Sequence, residues 1–385
     1  MSIILDSPAA QHDFCRGSHW YHESPFLPIG ETRGNEPGAS SLKDMATRCL
    51  VMDQSALKLE LFENVPWKIA KELWEFLGNR GKQTLLMWKI LIMRYPEQFP
   101  QLSPTYCMRT KVPKTPLKGY IDNVRSDACH WRAALSLSSA YASVSDLVEI
   151  GNLKNLVALE IHSRVCDPSL PTNIETRDGA QLDDGVVRSW LDAAQSTGSL
   201  QNLQVLRIYQ QNSLTHHILW MLEKLPGLKL IVIYQCGKLT QEFSHLKART
   251  KYGVQIAGWN AQRLDWVPDG GKTDAFKYLR PLLKVYEDGL SFRDTESKPN
   301  SPMLHSNMPI MEFGLPAYDC DDSEKEKRRA AYAAKSIFIL TRATGLNGRK
   351  RAPQEIQQPR NTGKRIMKER GGRDMADVLG DFFGI

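Results

Sequence analysis

The chain has 385 residues and a formal net charge of +7, from 50 Lys+Arg against 43 Asp+Glu. Residues 342–373 hold ten basic and two acidic side chains, a balance of +8, which leaves 7 − 8 = −1 for everything else. A near-neutral body with a basic tail excludes a fold whose whole surface grips nucleic acid, and no apolar run approaches the ~20 residues that span a bilayer.

The N-terminal sequence lacks the basic region and apolar stretch of a secretory signal. The seven cysteines, odd in number and without a C-x-x-C pair, read as reduced thiols of the cytosol or nucleus. Residues 1–40, rich in Gly, Pro, Ser and His, are expected to be disordered. Within them His12, Cys15, His19 and His22 have ligand types that suit zinc. Their spacing is compressed and no second cluster flanks them, so no metal or cofactor is assigned.

Residues 41–100 predict a small all-α unit. Ser41 caps a segment carrying Leu42, Met45 and Cys49. Asn64 and Pro66 open a helix that Gly78 stops, with Ile69, Leu73, Trp74 and Leu77 on one face. Leu85, Trp88, Ile92 and Tyr95 recur at helical spacing until Pro96. Residues 101–128 read as a connector.

Residues 129–260 contain a repeat. Strand-like cores begin at Leu135, Leu159, Leu206, Ile231 and Val254, separated by 24, 47, 25 and 23 residues. Three share a fuller frame: Leu153, Leu156, Leu159, Ile161; Leu200, Leu203, Leu206, Ile208; and Leu225, Leu228, Ile231, Ile233. A unit of this kind buries one side of a short strand and the leucines of the preceding turn, and needs stacked neighbours to satisfy its edges. The expected class is α/β: a leucine-rich-repeat-like solenoid, with an ordinary parallel α/β domain as the alternative. On the concave face the alternate positions Ser136, Glu160, Arg207 and Val232, flanked by His162 and Tyr209, are expected to be exposed and to hold a protein client.

Residues 261–323 predict a C-terminal cap, with a helix in AFKYLRPLLKVYEDG, followed by an irregular stretch; residues 324–341 predict a helix. In the basic tail, Lys350-Arg351 and Lys364-Arg365 have the spacing of a bipartite nuclear localisation signal that an importin would read. A solvated tail with weak non-specific nucleic-acid contact is the alternative. The last residues, 374–385, interleave Met375, Val378, Leu379 and Phe382 with aspartates, as a groove-binding helix does or a peptide folded back on the body. DGGKTD at 269–274 lacks the first glycine of a phosphate loop, since Trp266 stands there. No catalytic motif is present.

A family resemblance rests on these residues. Cys236 follows Ile233 by three positions, then Leu239-Thr240 and a helix; Gln211 takes the cysteine's place in the preceding unit, before Leu214-Thr215. This resembles the cysteine-containing leucine-rich repeat, a type common in F-box proteins. Val65-Pro66, Ile69, Leu73, Leu77, Leu85 and Trp88 resemble the F-box pattern, although Val replaces the usual Leu and Trp67-Lys68 replaces polar-acidic residues. The 41–50 segment also resembles the adaptor-binding helix of elongin-A-like proteins, with Ala46 where a Cys is expected. The resemblance implies a non-enzymatic substrate-recognition subunit of a cullin-type ubiquitin ligase. It would dock a Skp-type or elongin-type adaptor through Val65, Pro66, Ile69, Leu73 and Trp88. A plain end cap for the solenoid is the alternative for the helical unit, and a nuclear scaffold in a chromatin or DNA-repair complex is the alternative function.

Overall fold

A computed structural model describes residues 5–6, 18–21, 41–51, 54–79, 83–109, 116–163, 180–241, 254–264, 278, 281–291, 308–315 and 337–342. The chain divides into units 1–343 and 344–385, and all described residues belong to the first. Among the described residues no helix is long and apolar enough to cross a membrane.

The N-terminal unit is helical: α1 (Leu42–Val51), α2 (Trp67–Gly78), α3 (Leu85–Arg94) and α4 (Phe99–Leu102). Pro66 occupies the cap position of α2, and Thr84 caps α3 by accepting from the Met87 amide at 3.2 Å. The buried face of α2 is Ala70, Leu73, Trp74 and Leu77, the i, i+3, i+4, i+7 stripe of an amphipathic helix. Trp74 packs edge-on to Phe99 at 5.2 Å, and Trp88 meets Tyr106 at 5.3 Å and Trp131 at 5.8 Å. The last two contacts join the helices to the sheet, so the core is continuous across both.

The fold is mixed α/β around one sheet, of order β1-β2-β3-β10-β4-β5-β6-β7-β11-β9-β8. The strands are β1 (Leu5–Asp6), β2 (Ser18–Tyr21), β3 (Thr105–Arg109), β4 (Arg132–Ser138), β5 (Leu156–His162), β6 (Val205–Tyr209), β7 (Leu230–Tyr234), β8 (Val254–Ile256), β9 (Trp259–Leu264), β10 (Ile310–Leu315) and β11 (Ile337–Arg342). From β2 to β7 every pairing is parallel. Beyond β7 the pairings are antiparallel.

Strands β4 to β7 lie side by side in sequence order, joined through α6 (Val144–Ile150), α7 (Asp184–Thr197) and α8 (Ile218–Glu223), with α9 (Gly237–Gln241) after β7. All twelve frame residues, from Leu153 through Ile233, are buried. Each contributes ~1.5–3 kcal/mol of burial, so the 24-residue period is the period of the core. The units also end alike. Cys236, its thiol pushed up to about 11 by burial, donates to the carbonyls of Ile208 and Tyr234 at 3.8 and 3.5 Å. Gln211 stands in the same place, donating to the Tyr209 carbonyl at 3.3 Å and accepting from the Leu182 amide at 2.9 Å.

The structure differs from the sequence-based expectation at several elements. The 101–128 connector holds β3 and the helix α5 (Leu117–Val124). The expected irregular stretch before 323 contains β10, which is inserted between β3 and β4. Residues 337–342 form a strand rather than the end of a helix, while 324–336 lie outside the described residues. IMEFGL and IFILTR are six-residue, mainly apolar segments, interrupted by Glu312 in the first and ending in Thr341-Arg342 in the second, which suit a strand largely buried on both faces. Because β11 takes the edge of β7, the fifth repeat core, β8, pairs with β9 instead of β7. Arg342, counted with the tail by charge, belongs to the body, since its guanidinium donates to the Pro226 carbonyl at 2.8 Å.

The sheet is covered on both faces. Leu135, Leu159, Leu206, Ile231 and Phe338 lie in the core cluster with Val186, Trp190 and Leu219 of the crossover helices. On the other face α10 (Leu282–Ser291) presses Leu282, Val285 and Tyr286 against Ala158, Val205 and Val232. The helix expected in the C-terminal cap therefore lies over the face that the repeat alone would leave open, while residues 261–264 of the same expected cap continue β9 toward the end of the row.

Candidate functional site

Strand register brings the six predicted client-binding residues together. Ser136, Glu160, Arg207 and Val232 are mutual neighbours across β4, β5, β6 and β7. His162 and Tyr209 stand in the adjacent row, two residues nearer the carboxyl ends of the strands. The period of two placed them on one face. Their expected exposure is not what the structure shows: Val232 is 0%, Arg207 4% and Glu160 6% exposed, because α10 packs on this face. Only Ser136, His162 and Tyr209 are half-buried.

The buried charges neutralise each other. One Glu160 oxygen, Oε2, pairs with the Arg207 guanidinium, whose Nη1 donates to the Tyr278 carbonyl at 3.1 Å. The other, Oε1, accepts from the Ser136 hydroxyl at 2.7 Å and lies 3.5 Å from His162 Nε2. The Tyr209 ring lies 5.7 Å from the Arg207 guanidinium and 5.8 Å from the His162 ring. Burial pushes the His162 imidazole down to about 4, so it is neutral at pH 7.

Ser136 Oγ is 3.3 Å from His162 Nε2, the contact a nucleophile makes with its base. The rest of the geometry is not that of a hydrolytic relay. A relay carboxylate orients the imidazole through its second nitrogen. Here Glu160 approaches the same nitrogen as the serine and also accepts the hydrogen bond of the serine hydroxyl. The group is a locked polar network at the carboxyl ends of parallel strands, the side of such sheets where ligands bind.

Sequence reasoning missed the residues that extend this edge. Gln210 and Gln235 follow β6 and β7 with φ of 54° and 53°, a conformation uncommon for a residue with a side chain. Gln210 Nε2 donates to Gln235 Oε1 at 2.8 Å, and Gln235 Nε2 donates to the Tyr234 hydroxyl at 3.2 Å. The signal was present as the repeated Tyr-Gln of 209–210 and 234–235.

The predicted adaptor-binding residues separate into core and surface. Leu73 and Trp88 are 5% and 0% exposed, so both hold the helices together, as the end-cap alternative requires. Val65 is half-buried and its carbonyl accepts from the Tyr95 hydroxyl at 2.6 Å. Pro66 is exposed and Ile69 is 49% exposed, one turn further on. Leu61, 59% exposed in the short 3-10 turn before α2, was not anticipated.

The nuclear-import residues Lys350, Arg351, Lys364 and Arg365 and the C-terminal Met375, Val378, Leu379 and Phe382 lie outside the described residues. So do His12, Cys15 and His22, whereas His19 falls in β2. Among the described residues no group of three or more His, Cys, Asp or Glu is placed to hold a metal. No family model matches the chain, and neither a curated protein nor a solved structure matches it.

Proposed function

We propose that the chain is a non-catalytic protein-binding adaptor. In this reading an F-box-like helical unit carries a leucine-rich-repeat-like sheet and serves as the substrate-recognition subunit of a cullin-type ubiquitin ligase. The observation that carries it is the set of exposed apolar residues Leu61, Pro66 and Ile69, in the turn before and the first turn of a helix whose opposite face is fully packed. An exposed apolar patch on an otherwise satisfied element marks an interaction site, and this one coincides with the segment resembling the adaptor-docking part of an F-box. The in-register row β4 to β7, with Gln211 and Cys236 in equivalent roles, supports the repeat reading. The client would meet the half-buried edge residues Ser136, His162 and Tyr209. Lys350, Arg351, Lys364 and Arg365 would direct the chain to the nucleus through an importin, and the 374–385 peptide would engage a further partner.

The test is affinity purification of the full-length protein. A Skp-type or elongin-type adaptor should co-purify and be lost from the Leu61→Asp/Ile69→Asp variant, whose melting temperature should stay near wild type because both residues are exposed. Absence of any adaptor, or its retention by a folded variant, overturns the ligase reading. Leu73 is unsuitable for this purpose, since an aspartate there would unfold the helices.

One observation favours a second reading, a nuclear scaffold in a chromatin or DNA-repair complex. Helix α10 covers the face on which a repeat protein of this kind would hold a client. Co-purification of stable complex subunits without an adaptor would select this alternative.

A further inference from the structure

Helix α10 does not cover its face evenly. It packs most closely against β4 and β5 and less closely against the start of β6 and β7. A cavity of about 310 Å³ opens there. Its floor is Val205 and Leu230, and α10 supplies Val285 and Tyr286. This is the size and lining of a small-molecule site: apolar and aromatic walls with a few polar groups at the mouth.

Two features indicate that the space is maintained. The Tyr286 hydroxyl accepts from Arg132 Nη1 at 3.1 Å, which fixes the aromatic wall. Gly289, in the last turn of α10, lines the opening, and a Cβ built on it would meet no atom of the described residues within 4 Å. Its φ is not positive and no described residue crowds it, so neither turn geometry nor packing against the described residues requires glycine. Glycine weakens a helix relative to alanine. What a side chain at 289 would do is narrow the entrance.

The mouth carries Lys229 and Asp288, whose formal charges cancel, together with Thr341. We propose that this cavity is a binding site for a small neutral amphiphile, an apolar or aromatic body with an uncharged hydrogen-bonding head. The body would lie on Val205 and Leu230 and the head would face the rim. This site is on different elements from the exposed apolar residues of the helical unit and does not depend on the adaptor reading.

The test uses the neutral naphthalene ketone prodan and the full-length protein. Its emission should shift to the blue and saturate at one equivalent. Gly289→Trp and, from the opposite wall, Thr341→Trp should each weaken that binding at least tenfold while the far-ultraviolet circular dichroism and the melting transition are retained. If one variant fails to fold, the other decides. A lack of saturable binding, or unchanged affinity in a folded filling variant, overturns the proposal.

Discussion

The chemistry of single residues is dominated by what happens to His162. Its imidazole is pushed down to about 4 from 6.5 because burial disfavours the charged form. Between those two values the unfolded chain binds the proton first, so stability is undiminished above pH 6.5 and falls as the pH drops toward 4. The side chain is 25% exposed, and allowing for that the loss is about 1–2 kcal/mol. Thermal melts from pH 7 to pH 4 should therefore show a shallower acid decline for His162→Gln than for the wild type. Parallel declines would remove His162 as a contributor. The same burial explains what could be read from sequence here. Alternation of side chains put Ser136, Glu160, Arg207 and Val232 in one row, but no local pattern states that a helix about 120 residues downstream of β5 will cover that row. Polarity at Glu160 and Arg207 suggested solvent, whereas the two pair with each other in the interior.

At the scale of elements, the repeat was legible because each unit uses the same leucine spacing for the same purpose. The units touch closely at the turn before β7. A Cβ on Gly227 would lie 2.1 Å from the Gln201 carbonyl oxygen, which is backbone and cannot rotate away. Gly227→Ala should destabilise the protein by about 1–3 kcal/mol, as overpacking does, measured as a lower midpoint in urea with an unchanged slope. A neutral effect would mean that the two turns can separate freely. The strands β10 and β11 were not legible for a different reason. Each is one short apolar run with no repeat partner, and a run of six residues fits a buried helix segment as well as a strand. Only pairing decides between them, and their partners lie far upstream in the chain.

For the whole molecule, the division of charge into a neutral body and a basic tail survives, with its boundary shifted. Arg342 anchors β11 through the carbonyls of Leu225 and Pro226, and the first compact unit ends at Ala343. Truncation after Ala343 should leave the melting temperature near wild type and, on the import reading, move a fluorescent fusion out of the nucleus. Truncation before Ile337 should instead expose the edge of β7 and produce aggregation. Nuclear retention of the shorter tail-less protein would place the import signal elsewhere.

The insertion of β10 has a consequence for how the chain comes to be folded at all. Ile310 pairs with Thr105 on one side and Arg132 on the other, so the strand that fastens the N-terminal helices to the repeat sheet is made after nearly everything it joins. On a ribosome adding about 5–20 residues per second, β3 and β4 emerge with unfilled facing edges and wait roughly 10–40 s for their common neighbour. During that interval the nascent chain presents two strand edges to any other β-segment nearby. A chaperone that holds them apart until synthesis passes residue 315 would raise the yield of native protein.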